Sequence, residues 1–338
     1  MEEMKCRVLP VFLLIGLVLL ASAGLQAGGG ANVRHEESRM SMGSMWTVTA
    51  FGANTPKIPE VITQALDEVE RIDKLMSHYK PDSQISKINL GGSQGPVVVD
   101  QELFDLIAES VRYSRDSEGA FDITVGPLMK TWGFFMGNGK LPSDAELEAV
   151  KPRIGYQHII MDAAAHSIRF DVTGAELDLG GIAKGYAVDR AVRILRAGGL
   201  ANALVNAGGT TVYAMGAPLG SGGWPVEIPD PLDPKKVAHK VMLRDRALSV
   251  SGSAVKAFEA GGVRYSHIMD PRTLKPVQGV LAVAVLTTTG TIGDALDNVF
   301  FVQGVDQTRA NLTKHPVGTE AIFFLPGGDG KWTMVSVK

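Results

Sequence analysis

Four polar, glycine-rich segments carry most of the residues whose types and spacing suit chemistry. The first is Asp178-Leu-Gly-Gly-Ile-Ala-Lys-Gly-Tyr-Ala-Val-Asp189. Gly180 and Gly181 stand just before a predicted helix, where free amides and the helix dipole favour an anion. Lys184 adds a positive charge close by, although alone the segment reads as a glycine turn with a solvated lysine. The second, Tyr265-Ser-His-Ile-Met-Asp-Pro271, sets an imidazole and a carboxylate, His267 and Asp270, beside a rigid proline. A histidine works as a general base near neutral pH; the plainer reading is a surface turn with a satisfied ring. His35, His78, His158, His166, His239 and His315 have no comparable setting and read as structural or exposed.

The third segment is Thr288-Thr-Gly-Thr-Ile-Gly-Asp-Ala-Leu-Asp-Asn298. A helix starting near Gly293 puts Asp294 and Asn298 on one face. A carboxylate and an amide oxygen suit a hard cation such as Mg²⁺, while a simpler role for Asp294 is to cap the helix. The fourth, Gly119-Ala-Phe-Asp-Ile-Thr-Val-Gly-Pro-Leu128, is followed by Trp132-Gly-Phe134. Its aromatic residues suit either a planar ligand or the core. GxxxxGK[ST], GxGxxG and HExxH are missing, which argues against the common phosphate loops.

Periodicity supplies the elements that must position these residues. Ile58, Val61, Ile62, Leu66, Val69, Ile72 and Leu75 recur at helical spacing and predict an amphipathic helix over 58–76. A second helix is expected over 101–114, and a third after Ser143, where Ser143-Asp-Ala-Glu146 forms a capping box. A fourth runs from about Ala183 to Arg196 and stops at Gly198-Gly199. Strands are expected over 42–50, 167–171, 203–206, 224–228 and 280–286. Strands and helices mix without a βαβ rhythm, a linker or a repeat, so 42–338 is read as one compact α+β domain.

The 338 residues, 45% hydrophobic and 20% charged, are ample for a core. With 33 basic against 36 acidic residues, the charge of −3 lacks the basic excess expected of a general nucleic-acid binder and argues against one. Lys5 and Arg7 precede an apolar run from Val8 to Leu20, and Ala21, Ser22, Ala23 and Ala27 follow. That order predicts a cleaved signal peptide over 1–27, with 28–41 as a flexible leader. The run is short for a hydrocarbon core of ~30 Å, and an uncleaved anchor is the alternative. Cys6 precedes the run, so it is wrongly placed for lipid attachment. A mature chain without cysteine would have no disulfide, thiolate metal site or cysteine nucleophile.

Together and in this order, the segments resemble the ApbE family of Mg²⁺-dependent FAD:protein FMN transferases, from about Met42 to Gly304. The pieces are Met42-Gly-Ser, His78-Tyr-Lys-Pro-Asp-Ser-Gln-Ile-Ser-Lys-Ile-Asn89, Ala120-Phe-Asp-Ile-Thr-Val-Gly-Pro-Leu128, Asp178-Leu-Gly-Gly-Ile-Ala-Lys-Gly-Tyr-Ala, Asn206-Ala-Gly-Gly209, Ser266-His-Ile-Met-Asp-Pro and Asp294-Ala-Leu. The resemblance implies a T-fold-like α+β domain exported to the periplasm, in agreement with the leader. It further implies transfer of FMN from FAD to a Thr or Ser hydroxyl of an acceptor protein, with AMP released. Met42, Tyr79, Ala120, Phe121, Asp122, Asp178, Lys184 and Ile268 would line the FAD site. Gly181 (through its backbone oxygen), Asp294 and Asn298 would hold Mg²⁺, and His267, with Asp270, would act on the hydroxyl proton.

The chain departs from the family pattern at Asn298, usually threonine, and at Thr210, usually aspartate. Ser253-Ala-Val stands for the common Asp-Tyr-Glu, and Thr273-Leu274 for Thr-Gly. Two further readings are a Mg²⁺-dependent FAD pyrophosphatase and a non-catalytic exported flavin-binding protein.

Overall fold

Eight strands pair in chain order into one antiparallel sheet. They are β1 (Asn32–Ser41), β2 (Ser44–Ala53), β3 (Ala203–Ala207), β4 (Thr211–Met215), β5 (Arg246–Gly252), β6 (Ala282–Thr287), β7 (Glu320–Pro326) and β8 (Trp332–Val337). The structure, a computed structural model, describes residues 32–135, 137, 139–254 and 256–338, so the expected signal peptide lies outside the described residues. The helices are α1 (Lys57–Met76), α2 (Gln84–Gly91), α3 (Gln101–Asp116), α4 (Gly126–Thr131), α5 (Asp144–Val150), α6 (Ala183–Ala197) and α7 (Gly290–Asn311). Among the described residues no helix is long and apolar enough to cross a membrane.

The reading of 28–41 as a flexible leader is corrected by β1. From Asn32 to Ser41 the chain pairs with β2 in unbroken register, Asn32↔Ala53 through Ser41↔Ser44, and the boundary placed at Met42 falls in their turn. β1 is an edge strand whose side chains are mostly polar, and its pairing comes from the backbone, so apolar periodicity had nothing to detect. Cross-strand polar contacts add to it: Thr49 Oγ1 donates to Glu36 at 2.6 Å, and Ser38 lies 2.8 Å from Thr47.

Both faces of the sheet are covered. On one, Trp46, Val48, Val205, Val283 and Phe323 pack with α1, α6 and α7 into the main core. On the other, Leu204, Val212, Leu248, Ala284 and Phe324 meet the hairpin of Trp224–Pro229 and Val237–Leu243. β4 and β6 are therefore buried along their whole length and read as continuous apolar runs rather than alternating ones. α1 buries the expected stripe, from Val61 and Ile62 to Met76. The capping box at Ser143 forms as expected: Glu146 N–H donates to Ser143 Oγ at 3.3 Å, and Ser143 N–H to Glu146 Oε2 at 2.9 Å.

Trp132 and Phe134 take the core option left open for the fourth segment. They pack with Leu128, Met269 and Leu274, and Trp132 Nε1 donates to the Leu274 carbonyl at 2.9 Å. Leu274 holds φ 61°, a conformation that favours glycine, which is the residue the family commonly has there. Its buried side chain offsets that strain.

One end of the sheet collects the polar segments. The registers Trp46↔Ala207, Ala207↔Thr211, Thr211↔Ser249 and Gly252↔Ala282 put the β1–β2 turn, the β3–β4 turn and the β5–β6 connection side by side. That connection carries His267 between two small hairpins, 257–266 and 269–276. The long β2–β3 insertion carries Asp178 and Lys184.

Candidate active site

Two glycines let α6 and α7 touch. A Cβ on Gly185 would collide with the Gly290 carbonyl, and one on Gly290 would lie 2.6 Å from the Gly185 carbonyl. Asp189 locks the crossing by accepting from Gly290 N–H at 2.7 Å and from Thr291 N–H and Oγ1 at 2.8 and 2.6 Å. The last acidic residue of the first segment is thus structural: it caps α7.

This close approach positions Asp294. Gly185 N–H lies in the first turn of α6, where amides lack intrahelical partners, and donates to Asp294 Oδ2 at 2.9 Å. Thr211 Oγ1 reaches Asp294 Oδ1 at 3.4 Å. The simpler capping role for Asp294 does not hold, because Thr289 is the N-cap and its side chain accepts from Ile292 N–H. One helical turn on, Asp297 Oδ1 accepts from Ser251 Oγ at 2.9 Å and from Asn298 Nδ2 at 2.8 Å. Asp294 is 5% exposed and Asp297 1%. Burial pushes both carboxyls up, with the charge of Asp294 adding to the shift at Asp297 and that of Asp189 to the shift at Asp294. Lys184 supplies opposing charge; burial lowers its own pKa, against the pull of Asp294 and Asp297.

Gly181, Asp294 and Asn298, expected together, are brought together. A Cβ on Gly181 would lie 3.2 Å from both Asn298 Nδ2 and the Phe121 ring. Gly181 precedes the N-cap Ile182, so its carbonyl lies outside the α6 ladder, and Gly185 N–H goes to Asp294. A carboxylate, an amide oxygen and a backbone oxygen, next to a second buried carboxylate, fit a hard cation.

His267 lies beyond this cluster. Its backbone N–H donates to the Lys256 carbonyl at 2.9 Å, and its ring Nδ1 is buried without a partner among the described residues. Burial, aided by the charges of Lys256 and Lys184, lowers its pKa to about 4. Asp270 is not its partner, which corrects the pairing drawn from their spacing. Both Asp270 oxygens are held by Arg272, at 2.9 Å from Nε and 3.0 Å from Nη2, and Oδ1 also accepts the Arg272 N–H. An acid two residues before an arginine in a tight turn pairs locally, and Arg272 claims both of its oxygens.

His78, read from sequence as structural, stands at the site instead. Its Nδ1 lies 3.3 Å from Asp178 Oδ1, and its Nε2 is buried without a partner. Burial acts to raise the Asp178 carboxyl, but His78, the Gly180 N–H and Lys256 together hold it below the usual range. Tyr79, 57% exposed, stacks on Phe135 with centroids 5.0 Å apart and leans on His78 at 4.1 Å. His78, Asn89, Leu90, Lys130, Phe135 and Asp178 border a cavity of about 240 Å³. The sequence signal for His78 was its place at the head of the His78–Asn89 segment; its partner, a hundred residues on, was not visible.

The other expected FAD residues surround this region. Asp178 N–H donates to the Ile123 carbonyl at 2.7 Å, which ties the Ala120-Phe121-Asp122 segment to the site. Asp122 itself is spoken for: its carboxylate accepts from Thr124 N–H and Oγ1 and from Tyr156 N–H, at 2.7 to 2.8 Å. It shapes the loop, and the Phe121 ring packs into the main core against Tyr113. Ile268 is buried next to His267, and Met42 sits half-buried in the β1–β2 turn at the same end of the sheet. Lys256, which sequence reasoning missed, influences Asp178, Lys184 and His267 together.

The depressed His267 pKa makes a testable statement. In the free protein the ring should stay neutral down to about pH 4. The unfolded chain takes up that proton near pH 6.5, so this contribution to stability is complete above about pH 6.5 and shrinks as pH falls toward 4. Imidazole NMR across pH 3.5–8 checks it; a His267 resonance titrating near 6.5 would refute the burial and charge account.

A covered antiparallel sheet, with carboxylates, a lysine and histidines gathered at one end beside an aromatic-walled cavity, defines an α+β domain built around a mixed-charge ligand site. The ApbE family pattern matches residues 42–323, and the chain belongs to the ApbE family. It is 29% identical over 306 residues to the FAD:protein FMN transferase of Salmonella typhimurium, covering 88% of this chain and 85% of that one. The crystal structure of the ApbE protein from Thermotoga maritima superposes with a TM-score of 0.81 at 31% identity, over 90% of this chain and 97% of that one. The flavin transferase ApbE from Vibrio cholerae gives 0.79 at 27% identity, over 91% and 98%.

Proposed function

We propose that this chain transfers FMN from FAD to a threonine or serine hydroxyl of an exported acceptor protein, in a Mg²⁺-dependent reaction that releases AMP. The observation that carries the reading is the gathering of Gly181, Asp294 and Asn298 with Lys184 and the buried His267 ring at one sheet end, Gly181 lying against the Asn298 side chain and Asp294 accepting from Gly185 N–H. Gly181, Asp294 and Asn298 would hold Mg²⁺, which when bound neutralises charge on a pyrophosphate and makes AMP a better leaving group. The Lys184 ammonium stabilises phosphate charge as it develops, the α6 amides being already engaged at Ile182, Ala183 and Gly185. His267 Nδ1, neutral and without a partner, accepts the hydroxyl proton as that oxygen bonds to the flavin-side phosphorus. The bond from this phosphorus to the bridging oxygen breaks, and AMP leaves with that oxygen. The Tyr79–Phe135 stack and the His78–Asp178 pair offer a planar wall and a polar rim for FAD. Export is supported by the order of Lys5, Arg7 and the Val8–Leu20 run.

Incubation with FAD and Mg²⁺, with and without a threonine-containing acceptor protein, tests the reading. The expected result is AMP in step with FMN-labelled acceptor, seen by mass spectrometry. AMP at the same rate without acceptor would make the chain a pyrophosphatase, and FAD binding without any AMP would make it a binding protein.

A further inference from the structure

Asn298 is held by both of its amide hydrogens. Nδ2 donates to the Asp294 carbonyl at 2.9 Å and to Asp297 Oδ1 at 2.8 Å. An amide nitrogen has two hydrogens, so its donor capacity is spent within α7. The amide cannot turn over, because its oxygen would then face a carbonyl oxygen and a carboxylate oxygen. Oδ1 is therefore the end left to meet a ligand, while Gly181 packs against the nitrogen side of the amide.

Asp297 is itself fixed. It is 1% exposed, and the oxygen that accepts from Asn298 also accepts from Ser251 Oγ at 2.9 Å, which ties it to β5. A hydroxyl at position 298 would need no such partner, since its single hydrogen rotates freely and its oxygen points outward in any case. We infer that Asp297 is a positioning residue that turns the Asn298 amide oxygen-first toward the cation, so that the two residues work as a pair. The inference rests on the Mg²⁺ reading given above.

Calorimetric titration of Mg²⁺ into the full chain, without flavin, tests it through a double-mutant cycle. Asp297→Ala should weaken Mg²⁺ binding roughly 10–100-fold, the usual cost of losing a residue that orients a ligand. In an Asn298→Thr background the same change should cost clearly less. Equal losses in both backgrounds would overturn the inference, because Asp297 would then act by charge alone; no loss in the wild-type background would overturn it as well. Wild-type protein that takes up no Mg²⁺ would sink the metal reading along with it, whereas binding with an additive cycle sinks the inference only. Asp297→Asn keeps an acceptor oxygen and should bind Mg²⁺ more tightly than Asp297→Ala. A readout independent of any variant's folding is the Asn298 side-chain amide in wild-type NMR spectra, assigned by its loss in Asn298→Thr. Both hydrogens should exchange slowly; exchange as fast as that of a surface asparagine would overturn the inference.

Discussion

Asp294→Ala is expected to abolish Mg²⁺-dependent AMP release and to remove Mg²⁺ binding. The carboxylate accepts from Gly185 N–H at 2.9 Å and from Thr211 Oγ1 at 3.4 Å. It also offers charge to Lys184 in a buried setting. Alanine leaves that amide unsatisfied and takes away the cation's charged ligand. The loss should exceed the roughly 10–100-fold that removing a mere orienting residue costs. Asp297 is a second carboxylate that sequence reasoning did not assign, but Ser251 and Asn298 hold its Oδ1, so it does not swing in as a substitute. Asp294→Asn separates the two effects, since it keeps an acceptor for Gly185 and loses the charge. AMP release across a Mg²⁺ titration is the measurement. A variant with unchanged Mg²⁺ dependence would show that the site lies elsewhere.

His267→Ala should lower FMN transfer by about 10²–10⁴-fold, the range for loss of a general base, with FAD binding largely unchanged. The ring's buried Nδ1 has no partner, and its N–H to Lys256 is a backbone bond that alanine retains. The fold around it therefore survives the change, and only the proton acceptor goes. Single-turnover transfer measured beside a flavin fluorescence titration reads both quantities. Transfer at the wild-type rate would remove His267 from the mechanism. A matching loss of FAD affinity would recast it as a binding residue.

Much of the scaffold was legible in the chain because its signals are local. The α1 stripe, the Ser143 capping box and the stop of α6 at Gly198 each depend on residues within a few positions of one another. β1 was not legible, because an exposed edge strand is held by backbone pairing with β2, and its polar side chains resemble those of an unstructured leader. In the site, Asp294 and Asn298 were legible from one helical spacing and Lys184 from its glycine-rich approach to α6. Asp270 misled for the converse reason: proximity in sequence to His267 said nothing of Arg272, whose bidentate grip claims it.

The sequence by itself determined the class of domain, the main helices and which segments carry chemistry, since propensity, capping and periodicity act over one or two turns. Only the tertiary structure decided who serves whom. The Gly185–Gly290 contact joins residues more than a hundred positions apart and delivers a backbone amide to Asp294. The pairing of β3 with β4 and of β4 with β5 brings Thr211 and Ser251 to Asp294 and Asp297 of α7. His78 meets Asp178 across the β2–β3 insertion. Such partnerships are set by which surfaces exclude water together, and burial in turn sets the charge states of Asp294, Asp297 and His267. Those charge states exist only once the chain has closed around them.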